Sequence, residues 1–503
     1  MTKQLEDRHG EKKKQPVKDA KPAGKPDAKS IGITVKKFDD MPEWYSQVCL
    51  KAELADHSPI KGCMVIRPYG YAIWQKIQEY FDGRLKKLGV QNAYFPLFIP
   101  ESFFAREAQH AEGFKPEVAW VEQKNDQEEK YALRPTSETI IYDAYSRWIR
   151  SWRDLPLRLN QWCNIIRWEV KDVKMFLRTR EFLWQEGHCV YESREQCDKE
   201  TYMVLDEYEK LSHDILAVPI IKGKKTEKEK FAGAEFTTTI ESLMPDGKAL
   251  QMGTSHTLSQ GFAKSFDINY LGQDEKYHHP WQNSWGFSTR LIGAIVLMHG
   301  DDKGLVLPPM IAPIHIVIVP IFFDKTKERV LEGAKKVYDQ LSKNFSVKLD
   351  DRDEYSAGWK YNEWELKGVP LRLEIGPRDL DAHQVTIVRR DNGAKEAVSM
   401  HDMEAKISST LASIQQNLLE KADRMVRERT VHAKNMKELI DEVASGNWAI
   451  APFCGDDKCE ASLKDETGGI TSRCIPLHDK KVDGKCVRCG NVASVNVYFA
   501  KAY

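Results

Sequence analysis

Residues 167–188, RWEVKDVKMFLRTREFLWQEGH, decide how the rest of the chain is read. The pattern predicts strand, charged loop, strand. Ile165, Arg167 and Glu169 share one face at a period of two, and Phe182, Trp184, Glu186 and His188 share one face of the second run. A sheet face built only to bury area carries valine, isoleucine and leucine. This pair instead turns rings, carboxylates, an imidazole and an arginine toward one space, with Arg178 and Arg180 at the loop tip. Taken alone, the stretch also fits a solvated amphipathic hairpin, so the flanking segments must decide.

At 503 residues the chain is too long for a single core, and its length suggests about three domains. The 75 basic and 75 acidic residues cancel, which excludes a whole-molecule field for polyanions and leaves any steering to local patches. Ten cysteines at irregular spacing, with no secretory signal at the amino end, point to a reducing, cytoplasmic setting. Residues 305–323 form a 19-residue apolar run, but Pro308, Pro309, Pro313 and Pro320 break it. It reads as a linker and a buried strand at 315–319, so no membrane partner is expected. Residues 11–30 hold seven lysines and no large apolar side chain except Val17, the composition of a disordered tail.

Toward the hairpin from the amino side, Ile73, Trp74, Ile77, Phe81, Leu85 and Leu88 predict a helix over 71–88, ending at Gly89. AYFPLF at 93–98 then reads as extended, with Pro96 at a sheet edge or an interface. In LRPTSETIIYDAYSRWI, residues 133–149, Thr136, Ser137 and Glu138 signal a helix start. Thr136 and Glu138 either cap that helix or receive a cationic amine. Beyond the hairpin, Tyr202, Leu205, Tyr208 and Leu211 give a buried stripe to a helix over 195–216. Two hydroxyl-rich strands follow, and Gly253 in the second allows close approach at Gln251, Thr254 and His256. In WQNSWGFSTRLIGAIVLMHGD, Arg290 falls at the first turn of an apolar helix, where it opposes the helix dipole unless an anion sits nearby.

From residue 314, strands and helices alternate as in an α/β domain with a largely parallel sheet, and a helical stretch over 403–443 follows. CGDDKC and CVRCG then place Cys454, Cys459, Cys486 and Cys489 in two close pairs, the pattern of a structural Zn2+ site. A zinc with four protein ligands has no open position and serves folding. Cys474 between the pairs reads as packing.

Three of these segments resemble the signature motifs of class II aminoacyl-tRNA synthetases. GVQNAYFPLF (89–98) is similar to motif 1, RWE with LRTREFLWQEGH to motif 2, and GFSTRLIGA (286–294) to motif 3, where Trp285 and Ser288 stand in place of the usual glycine and glutamate. PTSE, GTSH and the terminal AKAY narrow the resemblance to prolyl-tRNA synthetases of the archaeal and eukaryotic type, over roughly residues 35–503.

The resemblance implies an α/β (α+β) fold. An antiparallel catalytic sheet of six or seven strands with helices would span 35–310, an anticodon-binding domain 311–410 and a small zinc-binding domain 411–503, after a tail at 1–34. It implies a homodimer joined through motif 1, with L-proline, ATP with Mg2+, and tRNA(Pro) as substrates. Arg167 would bridge the proline carboxylate and the α-phosphate, with Arg290 as the second catalytic cation. Thr136 and Glu138 would take the ammonium, and Trp184, Glu186, His188 and His256 would wall the pocket. Glu169 would meet the adenine amino group, Phe182 and Arg290 would sandwich the purine, and Arg178 and Thr179 would hold the β- and γ-phosphates. Gln251, Thr254 and Ser288 would line the nucleotide and metal site. Glu365, Arg372, Arg378 and Asp379 would read the anticodon. With no large insertion between motifs 2 and 3, no hydrolytic editing of alanyl-tRNA is expected. A relative that had lost activation should lack Arg167, Arg178, Arg290 or Glu138, and a zinc-ribbon module alone would leave the hairpin unexplained.

Overall fold

The computed structural model of the chain describes residues 32–108, 117–123, 129–477, 482 and 484–503. The lysine-rich stretch 11–30 lies outside the described residues.

The decisive hairpin forms, with strand Leu157–Ile166 antiparallel to strand Glu181–Tyr191 in a register from Leu157 opposite Val190 to Ile166 opposite Glu181. The first strand stops at Ile166, so Arg167 and Glu169 do not continue its period-two face. Arg167 N–H closes the loop on Arg180 O at 2.7 Å, and the chain turns there, with the Arg180 guanidinium 4.6 Å from the Trp168 ring.

Outward from the hairpin the sheet adds Trp281–Ser288, Lys248–Ser259, Phe236–Leu243 and Ile221–Lys224, all antiparallel. On the other side Gln91–Asn92 pairs in parallel with Leu157–Ile166. Six strands form the expected antiparallel sheet, the seventh joins its edge in parallel, and the sheet does not end with them. Ile470–Pro476 pairs with Ile221–Lys224, and Val495–Ala502, Trp448–Phe453 and Thr430–His432 follow, giving 11 strands in all. The carboxyl-terminal residues therefore share one sheet with the hairpin.

Helix Pro68–Lys87 buries Trp74 and Phe81 against that sheet, where Phe81 meets Phe287 at 4.9 Å and Tyr208 at 5.4 Å between ring centroids. Helix Arg194–Lys210, extended by a π-turn at Leu211–Ile215, buries Leu205, Tyr208 and Leu211 as expected. Tyr202 is a correction: it lies part-exposed at the edge of that stripe, stacked on Phe236. Gly187 sits opposite Trp285, and a Cβ there would fall 2.0 Å from the indole, so only glycine lets the two strands pass.

AYFPLF is not a strand through residue 97; only Phe98–Pro100 pairs, with Tyr131–Leu133. Side chains have taken its backbone groups. Gln161 Oε1 accepts from Phe95 N–H at 3.0 Å, Arg134 Nη1 donates to Phe95 O at 2.8 Å, and Pro96 has no N–H to offer.

The next domain carries a five-stranded sheet in the order Val347–Leu349, Ile316–Pro320, Leu371–Ile375, Gln384–Arg389, Lys395–Ser399. Its first two pairings are parallel and its last two antiparallel, so it is mixed rather than largely parallel. The last strand buries only Val398 and shows no apolar run, but Asn392-Gly393 before it is a hairpin signal that the sequence does carry. The stretch 403–443 is also interrupted: helix Met403–Glu428 gives way to strand Thr430–His432 before helix Met436–Ala444. Among the described residues no helix is long and apolar enough to cross a membrane.

Candidate active site

A cavity of about 220 Å³ opens over the face that Trp184, Glu186 and His188 share. Helix Glu138–Trp148 brings Thr136 and Glu138 to its rim, the turn after Ile166 brings Arg167, and strand Lys248–Ser259 brings Gln251, Thr254 and His256. All seven side chains expected to hold the amino acid therefore meet in one place. The capping alternative for Thr136 does not hold, because its hydroxyl donates to the Glu138 carboxylate, and Ser137 at the N-cap makes no side-chain cap bond.

Hydrogen bonds fix the acidic floor. Glu186 Oε2 accepts from His188 Nε2 at 3.0 Å, and Oε1 accepts from Gln161 Nε2 at 2.7 Å and from Ser137 Oγ. Tyr142 OH meets His188 Nδ1 at 3.1 Å, and Tyr145 OH donates to His188 O at 2.7 Å. Burial pushes Glu186 up, but the bonds from His188, Ser137 and Gln161 and the His188 charge outweigh it and hold the carboxyl below its ordinary value. For His188, burial pulls down, while the Glu186 bond and the Glu138 and Glu186 charges win and raise it. Burial lifts Glu138, against the His188 charge and with the Glu186 charge. His256 is pulled down to about 3 by burial and then by His188, so it stays neutral at physiological pH; its Nδ1 lies 2.9 Å from Thr237 Oγ1.

The residues expected to hold the nucleotide spread along one side. The Arg167 guanidinium lies 5.4 Å from the Phe182 ring and 5.8 Å from the Trp184 ring. Arg290 donates through Nε to Leu177 O at 3.1 Å and through Nη1 to Gln251 O at 3.1 Å, and its own N–H reaches Ser288 Oγ at 3.2 Å. Burial first, then the charges of Arg167, Arg473 and Arg178 against that of Glu241, bring Arg290 down to about 10. Arg178 and Glu169 are exposed outside the cavity, and the Thr179 hydroxyl is turned to Glu181 O at 2.7 Å.

Several wall residues escaped the sequence reading. Lys225, Glu229, Phe231, Thr237, Ser284 and Trp285 also line the cavity. Ser284 lies opposite both His188 and His256 in the register, and its buried hydroxyl has no partner among the described residues. Only the pairing register places it there, and that register is not written in the local sequence. Lys225 donates to Glu241 Oε1 at 2.6 Å and to Arg473 O at 2.8 Å, and Arg473 Nη2 reaches Glu241 Oε2 at 2.9 Å. No local signal reveals a bond that crosses nearly half the chain.

Elsewhere, Arg372 is buried, donating to Glu365 at 3.0 Å and to Glu374 at 2.9 Å, with its guanidinium 3.9 Å from the Tyr361 ring. Asp379 accepts from Gly376 N–H at 2.8 Å at the start of helix Pro377–Asp381. Arg378 is exposed. The sulfurs of Cys454, Cys459, Cys486 and Cys489 all lie within 4.8 Å of one another. With Zn–S bonds of about 2.3 Å, a tetrahedron has sulfur–sulfur edges of about 3.8 Å, the Cys459–Cys486 separation of 3.8 Å. Cys474 is buried away from the group, against Gly223.

Comparison with known proteins agrees with this arrangement. The profile of the tRNA synthetase class II core domain (G, H, P, S and T) matches residues 119–299. An anticodon binding domain profile matches 315–410, and a prolyl-tRNA synthetase C-terminal profile matches 436–503. A proline–tRNA ligase of Alkaliphilus oremlandii is 51% identical, covering 92% of this chain and 96% of its own. One from Natranaerobius thermophilus is 49% identical over 92% and 97%, and proline–tRNA ligase 2 of Clostridioides difficile 47% over 93% and 97%. The chain accordingly belongs to the prolyl-tRNA synthetases, a family of class II aminoacyl-tRNA synthetases.

Proposed function

We propose that the 220 Å³ cavity holds L-proline and that the side running from Arg167 to Arg290 holds MgATP, so that the chain forms prolyl-adenylate and passes the prolyl group to the 3′ end of tRNA(Pro). One observation carries this reading: Glu138 and Glu186 face Arg167 across a small cavity, two acids for an ammonium and a guanidinium for a carboxylate.

The proline carboxylate oxygen attacks the α-phosphorus; the new P–O bond forms as the bond to the β-phosphate breaks and pyrophosphate leaves. Negative charge grows on the α-phosphate, and fixed cations lower that barrier. Arg167 bridges both reactants with its forked donors, and Arg290 closes the far side. Thr136 and Glu138 receive the secondary ammonium, while Trp184, Glu186, His188 and neutral His256 wall the ring, Glu186 also turning its charge to that ammonium. Glu169 accepts from the adenine amino group, and the planar faces of Phe182 and Arg290 hold the purine between them. Arg178 takes the β- and γ-phosphates, joined by Thr179 once its hydroxyl leaves Glu181 O. Gln251, Thr254 and Ser288 offer oxygens to the nucleotide and to the Mg2+ that arrives with it. The test is ATP–pyrophosphate exchange with each of the twenty amino acids and no tRNA. Exchange with proline is expected, and exchange with none, from folded protein that binds tRNA, would sink the reading.

On the same reading the enzyme works in the cytoplasm as a homodimer joined through residues 89–98, where Tyr94 is 72% and Phe98 50% exposed. A stable active monomer in sedimentation would overturn the dimer. The chain carries no alanyl-tRNA editing, and rapid deacylation of that substrate by the pure protein would refute this. In the anticodon-binding domain, Arg378 offers an exposed guanidinium for base edges or stacking, next to Asp379. Glu365 and Arg372, bound to each other, take part when that pair presents its outer edge.

The four clustered thiols fit a structural Zn2+ held by Cys454, Cys459, Cys486 and Cys489. Reduced protein is expected to carry one zinc per chain by elemental analysis. Chelation should lower the thermal midpoint by several degrees. Metal-free protein of unchanged stability would reject the site.

A further inference from the structure

Gln161 belongs to none of the groups assigned so far. It sits on strand Leu157–Ile166 directly opposite Glu186 in the antiparallel register, with 1% of its surface exposed. Its amide is fully used. Oε1 accepts from Phe95 N–H at 3.0 Å, and Nε2 donates to Glu186 Oε1 at 2.7 Å and to Ser137 Oγ at 3.0 Å. A side-chain amide supplies an acceptor and two donors on one carbon, and neither a carboxylate nor a hydroxyl reproduces that set at this reach. Ser137 donates to the same Glu186 oxygen, so the three side chains form a closed triangle at the cavity floor.

The other end of the amide leads out of the cavity. Phe95 lies between two exposed residues, Tyr94 and Pro96. Arg134, also buried, grips the same short segment through Phe95 O at 2.8 Å and returns to the hairpin through Nε on Asn164 O at 2.9 Å. A shift of the 94–96 backbone must therefore displace the Gln161 amide, and with it the donor that aims Glu186.

We propose that Gln161 is a positioning residue for proline binding: it fixes the Glu186 carboxylate against the cavity and couples it to the backbone of the exposed 94–96 segment. This rests on the reading that Glu186 contacts bound proline. A carboxylate that keeps its charge but loses its aim binds the ammonium poorly, so the effect falls on proline and not on ATP.

The test measures KM for proline and for ATP in pyrophosphate exchange, with pH profiles, for Gln161→Met, Gln161→Glu and Glu186→Gln. Gln161→Met keeps the volume and removes both donors. Its proline KM should rise about tenfold or more, the scale of a lost hydrogen bond to a charged group, while ATP KM stays within about twofold. Glu186, short of a donor, should titrate higher, moving the acid limb of kcat/KM for proline to higher pH. Gln161→Glu keeps the acceptor for Phe95 N–H but sets a second carboxylate against Glu186. Its deficit should grow with rising pH and shrink as the new carboxyl protonates, a trend that a merely structural defect would not give. Wild-type proline KM and pH profile in both Gln161 variants, with Glu186→Gln impaired, would overturn the inference. An unimpaired Glu186→Gln would overturn the reading of the cavity instead. If Gln161→Met fails to fold, the opposite pH trend of Gln161→Glu decides alone.

Discussion

Arg167→Ala should reduce proline-dependent pyrophosphate exchange by about 10³-fold, the scale of removing a preorganised donor from an oxyanion-type site. The guanidinium lines the cavity together with Glu138 and Glu186. Burial outweighs the raising charges of Glu169, Glu138 and Glu186 and lowers its pKa, yet an arginine keeps its charge. It also packs beside Phe182 and Trp184, where its flat face matters as much as its charge. Arg167→Lys should therefore rescue little, because a point ammonium cannot bridge two oxyanions at once or lie against two rings. The loss should appear in kcat more than in KM for ATP, with an unchanged circular dichroism spectrum. Retention of more than a tenth of the wild-type exchange by Arg167→Ala would remove this residue from the chemistry.

The second large effect concerns stability. Glu241 is 0% exposed and holds Lys225 on one oxygen and Arg473 on the other. Glu241→Ala leaves two buried cations facing each other, and breaking a buried ion pair this way costs about 3–5 kcal/mol. Glu241→Gln, which keeps an acceptor, should cost less. The pH dependence follows from its titration. Burial raises the Glu241 carboxyl, but the Arg473 and Lys225 charges and bonds prevail and depress it. A depressed carboxyl contributes stability that is present above its unfolded value, about 4.5, and lost as pH falls through the folded one. The gap between wild type and Glu241→Ala in urea titrations should thus close on acidification. A gap under about 1 kcal/mol at pH 7 would show that the triad is not needed.

How much of this was legible in the sequence varies from residue to residue. The Trp184, Glu186, His188 face was readable because strand alternation is local and strict, and Arg290 because a cation at a helix start is locally odd. Arg167 was readable as a residue but not in its geometry, since it works from a turn closed by Arg180 O rather than from a strand. Gln161 was invisible for a different reason: in NQWCNII it looks like any polar strand residue, and its task is set by whichever side chain the register places opposite. The four strands added from the carboxyl-terminal residues could not be foreseen, because pairing partners far apart in sequence leave no periodic trace. Arg372 shows the same limit, since nothing in PLRLEIG reveals the carboxylate partners that bury it. In each case the local chemistry was readable, and what sat across from it was not.

The joined sheet has one further consequence, for the order in which the protein is made. Ile221–Lys224 leaves the ribosome with its outer edge open, and the strand that covers it, Ile470–Pro476, emerges only about 250 residues later. At about 5–20 residues per second that is on the order of 10–50 s during which a newborn chain displays an unpaired edge. The strand is 4 residues long, IKGK, with Lys222 and Lys224 alternating along it. Shortness and lysine are the means by which natural sheets keep a bare edge from capturing a neighbour. A strand this short and this basic suits an edge that stays bare until the chain's own last strands arrive.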